Sequence, residues 1–216
     1  DARFKTLHEI ILEARQNLDA ENWDYLIGGS DTETTLRRNR LAIDRLGIIP
    51  RVLNDVSSVD TSGTILGHSL KLPVLLAPIG SLQVFDPGGG ASAAEAADDS
   101  GVMCIASSVC EPGLEEIAAS SKAPKIYQLY VRGDDNWVDD IINRVTAAGY
   151  CGFCLTVDTA VVSRRERDIA KRTAPTSQQP ADGMQFQAGL SWATVERIKK
   201  TFDIPLMLKG ISHVED

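Results

Sequence analysis

The stretch Gly152–Ile169, GFCLTVDTAVVSRRERDI, constrains the fold more than any other part of the chain. It begins as a continuous apolar run, stops at Thr156-Val157-Asp158, and passes into a segment crowded with Arg164, Arg165, Glu166, Arg167 and Asp168. A short unbroken apolar run reads as a strand buried on both faces, as in a parallel sheet. An aspartate at the C-terminal end of such a strand has no packing role to fill. In parallel α/β folds that end is where ligands bind and chemistry occurs. The bland reading of Asp158, that it caps the following turn, stands beside the functional one at this point.

The same rhythm runs through most of the sequence. Val74–Pro78, Val102–Ser108, Lys125–Val131, Gly152–Val157 and Pro205–Ile211 read as strands. Helical patterns lie between them at 91–100, 113–120, after Val131 (Trp137, Ile141, Val145 and Ala148 on one face) and after Ser191 (Val195, Ile198 and Phe202 inward). Alternation of this kind means parallel strands with right-handed helical crossovers. A doubly wound sheet would carry GxGxxG after its first strand, where this chain has Pro78-Ile79-Gly80. The expected fold is therefore an α/β TIM (β/α)8 barrel with about five of eight units in this chain, a complete one needing ~250 residues.

Residues 1–72 read as an N-terminal helical segment plus a barrel-bottom hairpin, and 73–216 as the first five β/α units. The segment has a helix over 4–18 with Phe4, Leu7, Ile10, Ile11, Ala14 and Leu18 at helical spacing. A short helix ends at Gly28-Gly29-Ser30, and a third, capped by Asp31 or Thr32, runs to about Leu46. A hairpin is expected over Thr64–Leu70 around Gly67-His68. Residues 173–188, rich in Pro, Thr, Ser and Gln, read as a long mobile loop.

Composition excludes several classes. A net charge of −8 and a pI near 4.9 argue against a nucleic-acid partner. No apolar run approaches the ~20 residues of a membrane span, and the N-terminus DARFKTLHEI is not a signal peptide. The cysteines at 104, 110, 151 and 154 read as reduced core thiols of a cytoplasmic protein, and no second pair completes a metal site around Cys151-x-x-Cys154.

Each strand ends on polar or unusual residues: Pro78-Ile79-Gly80, Ser107-Ser108, Gln128 with Tyr130 two residues on, Thr156 with Asp158 two residues on, and Lys209 before a glycine. Residues two apart in a strand share a face. Converging at one barrel mouth, these groups suit a planar polar ligand with hydrogen-bonding edges.

These residues resemble the FMN-dependent α-hydroxy-acid oxidising enzymes: glycolate oxidase, lactate oxidase and monooxygenase, and mandelate dehydrogenase. The likeness is carried by Trp23-Asp24-Tyr25, Leu75-Leu76-Ala77-Pro78, Ser107-Ser108, Gln128-Leu129-Tyr130, Leu155-Thr156-Val157-Asp158-Thr159, Arg164-Arg165-Glu166-Arg167-Asp168-Ile169 and Leu208-Lys209-Gly210-Ile211. It implies that FMN is the cofactor. Backbone at Ala77, Pro78, Ile79 and Gly80 would lie along the flavin, Ser107, Gln128 and Thr156 would hydrogen-bond its ring, and Lys209 would stabilise the reduced, anionic ring. Tyr25, Tyr130 and Arg165 would hold the substrate, with Tyr25, Tyr130, Asp158 and Lys209 in the catalytic set. Asp158 would stabilise a protonated catalytic histidine. The implied reaction is oxidation of a small L-2-hydroxy acid to the 2-oxo acid, with electrons passed to oxygen or another acceptor, in a homo-oligomer when complete. The alternative is a truncated, inactive barrel.

The chain departs from the family pattern in places. The base histidine of the family lies in an Asn-His-Gly motif after the sixth strand, with the FMN phosphate site beyond it; neither is in this sequence. His8, His68 and His213 match no family position. Ile79 resembles the Pro-Ile form of lactate oxidases, Gly80 removes a methyl beside the flavin, and Val109 stands where glycolate oxidase has tryptophan, implying a roomier substrate pocket.

Overall fold

Each of the five runs read as strands contains one, and these strands lie in chain order in the sheet. The computed structural model describes residues 3–172 and 182–216. The chain divides into two compact units, Asp1–Ser57 with Ser163–Gln178, and Ser58–Val162 with Gln179–Asp216.

The second unit holds a parallel sheet of β3 (Leu75–Leu76), β4 (Met103–Ser107), β5 (Lys125–Leu129), β6 (Gly152–Thr156) and β7 (Leu206–Lys209), in the order β3-β4-β5-β6-β7. Between them run α4 (Gly89–Ser100), α5 (Leu114–Ser120), α6 (Asp135–Ala147), α8 (Met184–Ala188) and α9 (Trp192–Thr201). This is the first five-strand arc of a (β/α)8 barrel.

Side-chain alternation sorts the strands into two faces. Ala106, Tyr127, Leu129, Phe153 and Leu155 pack against Ala94 and Ala97 of α4, Leu114 and Ile117 of α5, Val138, Ile142 and Val145 of α6 and Ile198 of α9. Met103, Ile126 and Cys154 form the inner face with partly buried Leu75, Ile105 and Met207. Burial on both faces explains why the strands read as unbroken apolar runs. Phe153 is fully buried, and its truncation to alanine costs about 3–5 kcal/mol at such a site. A hairpin, β1 (Gly63–Ile65) and β2 (His68–Leu70), turns at Leu66-Gly67 and adds Ile65 and Leu70 to the inner cluster. It thereby closes the N-terminal end of the sheet and leaves the C-terminal end for polar groups.

The first unit contains α1 (Leu7–Asn17), α2 (Ala20–Ile27), α3 (Thr34–Asp44) and α7 (Glu166–Lys171). No residue of α1, α2 or α3 is fully buried. The cap of α3 differs from the expected one. Glu33, at φ 59°, precedes the helix without a side-chain capping bond, and the Asp31 amide donates to the Arg164 carbonyl at 2.7 Å in an isolated bridge to Arg165. The charged segment after Asp158 folds partly into α7. Of the expected loop over 173–188, residues 173–181 lie outside the described ones, and Met184–Ala188 is helix α8 rather than loop. Among the described residues no helix is long and apolar enough to cross a membrane.

Candidate active site

At their C-terminal ends three strands present one hydrogen-bonded chain. Ser107 of β4 donates its hydroxyl to the Gln128 carboxamide oxygen at 2.7 Å. The Gln128 amide, on β5, donates to the Thr156 hydroxyl of β6 at 2.7 Å. Register makes this possible, since Ser107 lies opposite Gln128 and Thr156 opposite Lys209. By strand parity Ser107, Gln128, Thr156 and Lys209 follow Ile105, Ile126, Cys154 and Met207 on the inner face. The three linked side chains are buried, Thr156 completely. Buried polar groups are retained when they are paired, and this chain satisfies them while sparing capacity. An amide NH2 carries two hydrogens and a hydroxyl both donates and accepts. The two bonds leave one Gln128 amide hydrogen and the Thr156 hydroxyl hydrogen unused by the chain itself.

Lys209 ends the row. Its ammonium lies 3.7 Å from an Asp158 carboxylate oxygen, and both side chains are partly exposed. Gly210, at φ 116°, lets Asp158 approach: a Cβ there would stand 2.6 Å from the Asp158 Cβ and Cγ. Side chains other than glycine rarely adopt that backbone.

The loop after β3 carries Ala77, Pro78, Ile79 and Gly80, with Ala77 and Ile79 exposed. It is tied to the loop after β4 by the Ser81 amide, which donates to the Val109 carbonyl at 2.9 Å. Tyr130 follows β5 directly. Its backbone amide donates to the Ser108 hydroxyl at 3.0 Å, and the Arg132 guanidinium lies 5.9 Å from its ring centroid. Ser108 thus holds Tyr130 while its neighbour Ser107 enters the buried chain, a division of labour that the Ser-Ser pair in the sequence does not announce.

The remaining two expected site residues sit together in the first unit. The Arg165 guanidinium donates to the carbonyls of Tyr25 at 2.7 Å and Asp24 at 3.3 Å, at the C-terminal end of α2. It also lies 5.0 Å from the Tyr25 ring centroid and 2.9 Å from the Asp168 carboxylate. Around it Arg167 bridges Glu33 and Asp24, and Lys171 reaches Asp24.

The cysteines are free. Burial pushes the thiols of Cys154 and Cys151 up, and that of Cys104 to about 11. They stay protonated near neutrality, which suits packing rather than redox work. His213 is exposed beside Glu215. Sequence reasoning missed Gln187, fully buried on α8, because glutamine in a polar stretch carries no signal of burial.

The inner-face row fits FMN. A chain of paired but unsaturated donors and acceptors matches the edge of a planar heterocycle, and a lysine at its end matches a ring that gains negative charge. A parallel sheet with such a row at its C-terminal ends suits a planar cofactor at the mouth of a barrel. The chain belongs to the FMN-dependent dehydrogenase family, whose model matches residues 14–216, and its cofactor is FMN. It is 32% identical to rice glycolate oxidase 1 over 94% of this chain and 61% of that protein. It is 34% identical to 4-hydroxymandelate oxidase of Amycolatopsis orientalis over 99% of this chain and 65% of that protein. The structure of mandelate oxidase with benzoyl-formic acid superposes with a TM-score of 0.89 at 35% identity, covering 99% of this chain and 63% of that one. A mandelate oxidase mutant with an FMN adduct gives a TM-score of 0.83 at 36% identity over 94% of this chain and 61% of that one. The chain thus spans under two thirds of the length of these relatives.

Proposed function

We propose that this chain supplies the flavin-ring half of an enzyme that oxidises a small L-2-hydroxy acid to the 2-oxo acid, passing electrons to oxygen or another acceptor. The observation that carries the proposal is the buried Ser107–Gln128–Thr156 chain with Lys209 beside it. FMN, when bound, accepts the two electrons of the substrate carbon–hydrogen bond. Gln128 and Thr156 would hold the ring by its polar edge, and backbone at Ala77–Gly80 would lie along it. Lys209 offsets negative charge on the reduced ring.

Asp158 stabilises the positive charge of a histidine base as it takes the substrate proton, the service an aspartate gives a triad histidine. Tyr130 contributes a hydroxyl to the substrate. Tyr25 and Arg165 belong to the same proposal, with Arg165 bearing on substrate binding through its hold on Tyr25 as well as by its own charge.

The relatives are oxidases of glycolate and of mandelates by name, which supports a 2-hydroxy acid as substrate class. Val109 beside Ser107 favours the bulkier members. A cytoplasmic location, with which the free cysteines are compatible, and a homo-oligomer complete the proposal.

The test is anaerobic reduction of the FMN-loaded enzyme that carries a base histidine as well as this chain. Bleaching of the visible flavin band by L-lactate, glycolate or L-mandelate is the expected result. A band indifferent to all three, in protein that retains FMN, refutes the reaction assigned.

A further inference from the structure

Pairing between β5 and β6 runs from Ile126↔Gly152 to Leu129↔Leu155 and then stops. One rung further on, a side chain replaces the ladder. The carboxamide oxygen of Gln187 accepts the Val131 backbone N–H at 2.7 Å, and its amide donates to the Thr156 carbonyl at 2.8 Å. Gln187 is fully buried and both its polar atoms are paired. It therefore acts as a peptide-shaped spacer that keeps the strands apart yet satisfied at the barrel mouth. Its helix is seated closely: a Cβ on Gly183, at φ 84°, would meet the Arg132 carbonyl oxygen at 2.0 Å.

We infer that Gln187 is a positioning residue for the flavin and substrate groups, setting Thr156 through its carbonyl and Tyr130 through the adjoining Val131 amide. The inference rests on the proposed function. It goes further in giving α8 a role of its own, since this five-residue helix fixes the spacing of two strand ends. With Gln187 gone, the Val131 amide and the Thr156 carbonyl lose their partners in a dry site. The strand ends then either close on each other or admit water, and in both cases Thr156 turns relative to Gln128.

Two substitutions separate the two ends of the bridge. Gln187→Met keeps the length and removes both hydrogen bonds. Gln187→Glu keeps an acceptor for Val131 and sets a carboxylate oxygen against the Thr156 carbonyl. Titration with FMN, followed by the flavin absorption spectrum, reads the Thr156 side. The KM for the hydroxy acid, measured in the enzyme that carries a base histidine as well as this chain, reads the Tyr130 side.

The expected outcome for Gln187→Met is an FMN Kd raised about tenfold, as for a lost buried hydrogen bond, with an altered flavin spectrum and a raised KM. For Gln187→Glu the Kd rises similarly while KM stays within about twofold. Circular dichroism confirms folding of each. A folded Gln187→Met protein with the FMN Kd and spectrum of the wild type overturns the inference. Should that variant not fold, an unchanged Kd in Gln187→Glu overturns it. Wild-type protein that ignores FMN removes the proposed function and the inference together, whereas wild-type binding with indifferent variants removes the inference alone.

Discussion

The Arg165 guanidinium donates to the Tyr25 carbonyl at 2.7 Å and lies 5.0 Å from the Tyr25 ring centroid, so one side chain holds that residue by backbone and ring together. The carbonyl is one that α2 leaves without an intrahelical partner near its C-terminus, where a cation is favoured. Asp168, one turn along α7, completes the grip from the other side at 2.9 Å. The pair is 13% and 6% exposed, so the charges are largely out of water.

Removing one partner of a buried ion pair leaves the other uncompensated, which costs about 3–5 kcal/mol. Arg165→Met should therefore destabilise the first unit by about 3 kcal/mol, read from urea unfolding. The double change Arg165→Met with Asp168→Leu should recover much of that loss. A single variant as stable as the wild type would show that Arg165 does not hold α2.

Gly210 makes a second, sharper prediction. Its φ of 116° and the 2.6 Å approach to Asp158 exclude any side chain. Gly210→Ala adds strain of about 1–3 kcal/mol and must also push Asp158 aside. Turnover should fall by about tenfold or more while the far-ultraviolet dichroism stays native. An unperturbed rate would mean that the position of Asp158 is immaterial.

What was legible in the sequence follows from burial. Strands covered on both faces must be apolar throughout, so Gly152–Thr156 announced itself, and polar residues at the ends of such runs stood out as Ser107, Gln128, Thr156 and Lys209. Partnerships were not legible. Nothing in the order of residues says that Asp31 would be drawn into a bridge with Arg165 while Glu33 precedes α3. Nor does a glutamine in a polar stretch announce that its amide will replace a rung of the sheet. Both depend on contacts between residues more than 30 positions apart in the chain.

The acid side of stability has a predictable sign. A hydrogen bond from Lys171, joined by one from Arg167, holds the Asp24 carboxyl below its ordinary 3.8, and hydrogen bonding from Arg167 holds Glu33 below its ordinary 4.5. Lowered carboxylates contribute stability that is complete above the unfolded values and lost as pH falls through the folded ones. Trp23 in α2, with Arg15 5.3 Å from its ring, reports that region. Its fluorescence should hold steady from pH 7 to about 5 and change below about 4. Arg167→Gln should move the change to higher pH. A transition that begins above pH 6, or one indifferent to Arg167, would contradict the assignment.

Lys209 and Asp158 separate function from stability. At 3.7 Å, with side chains 35% and 45% exposed, their ion pair contributes at most about 1 kcal/mol to folding. Substitution at either position should leave the unfolding midpoint almost unchanged. The functional consequences should be larger and unlike each other. Lys209→Met removes the cation that offsets charge on the reduced ring, so FMN binding or the rate of flavin reduction should fall by about tenfold or more. Asp158→Asn preserves shape and removes charge, so turnover should drop far more than substrate affinity, as expected of a group that acts mainly in the transition state. Stopped-flow reduction of the flavin under anaerobic conditions measures both. Normal reduction kinetics in Lys209→Met with full flavin content would take the ring-stabilising role away from Lys209, and unchanged turnover in Asp158→Asn would do the same for the aspartate.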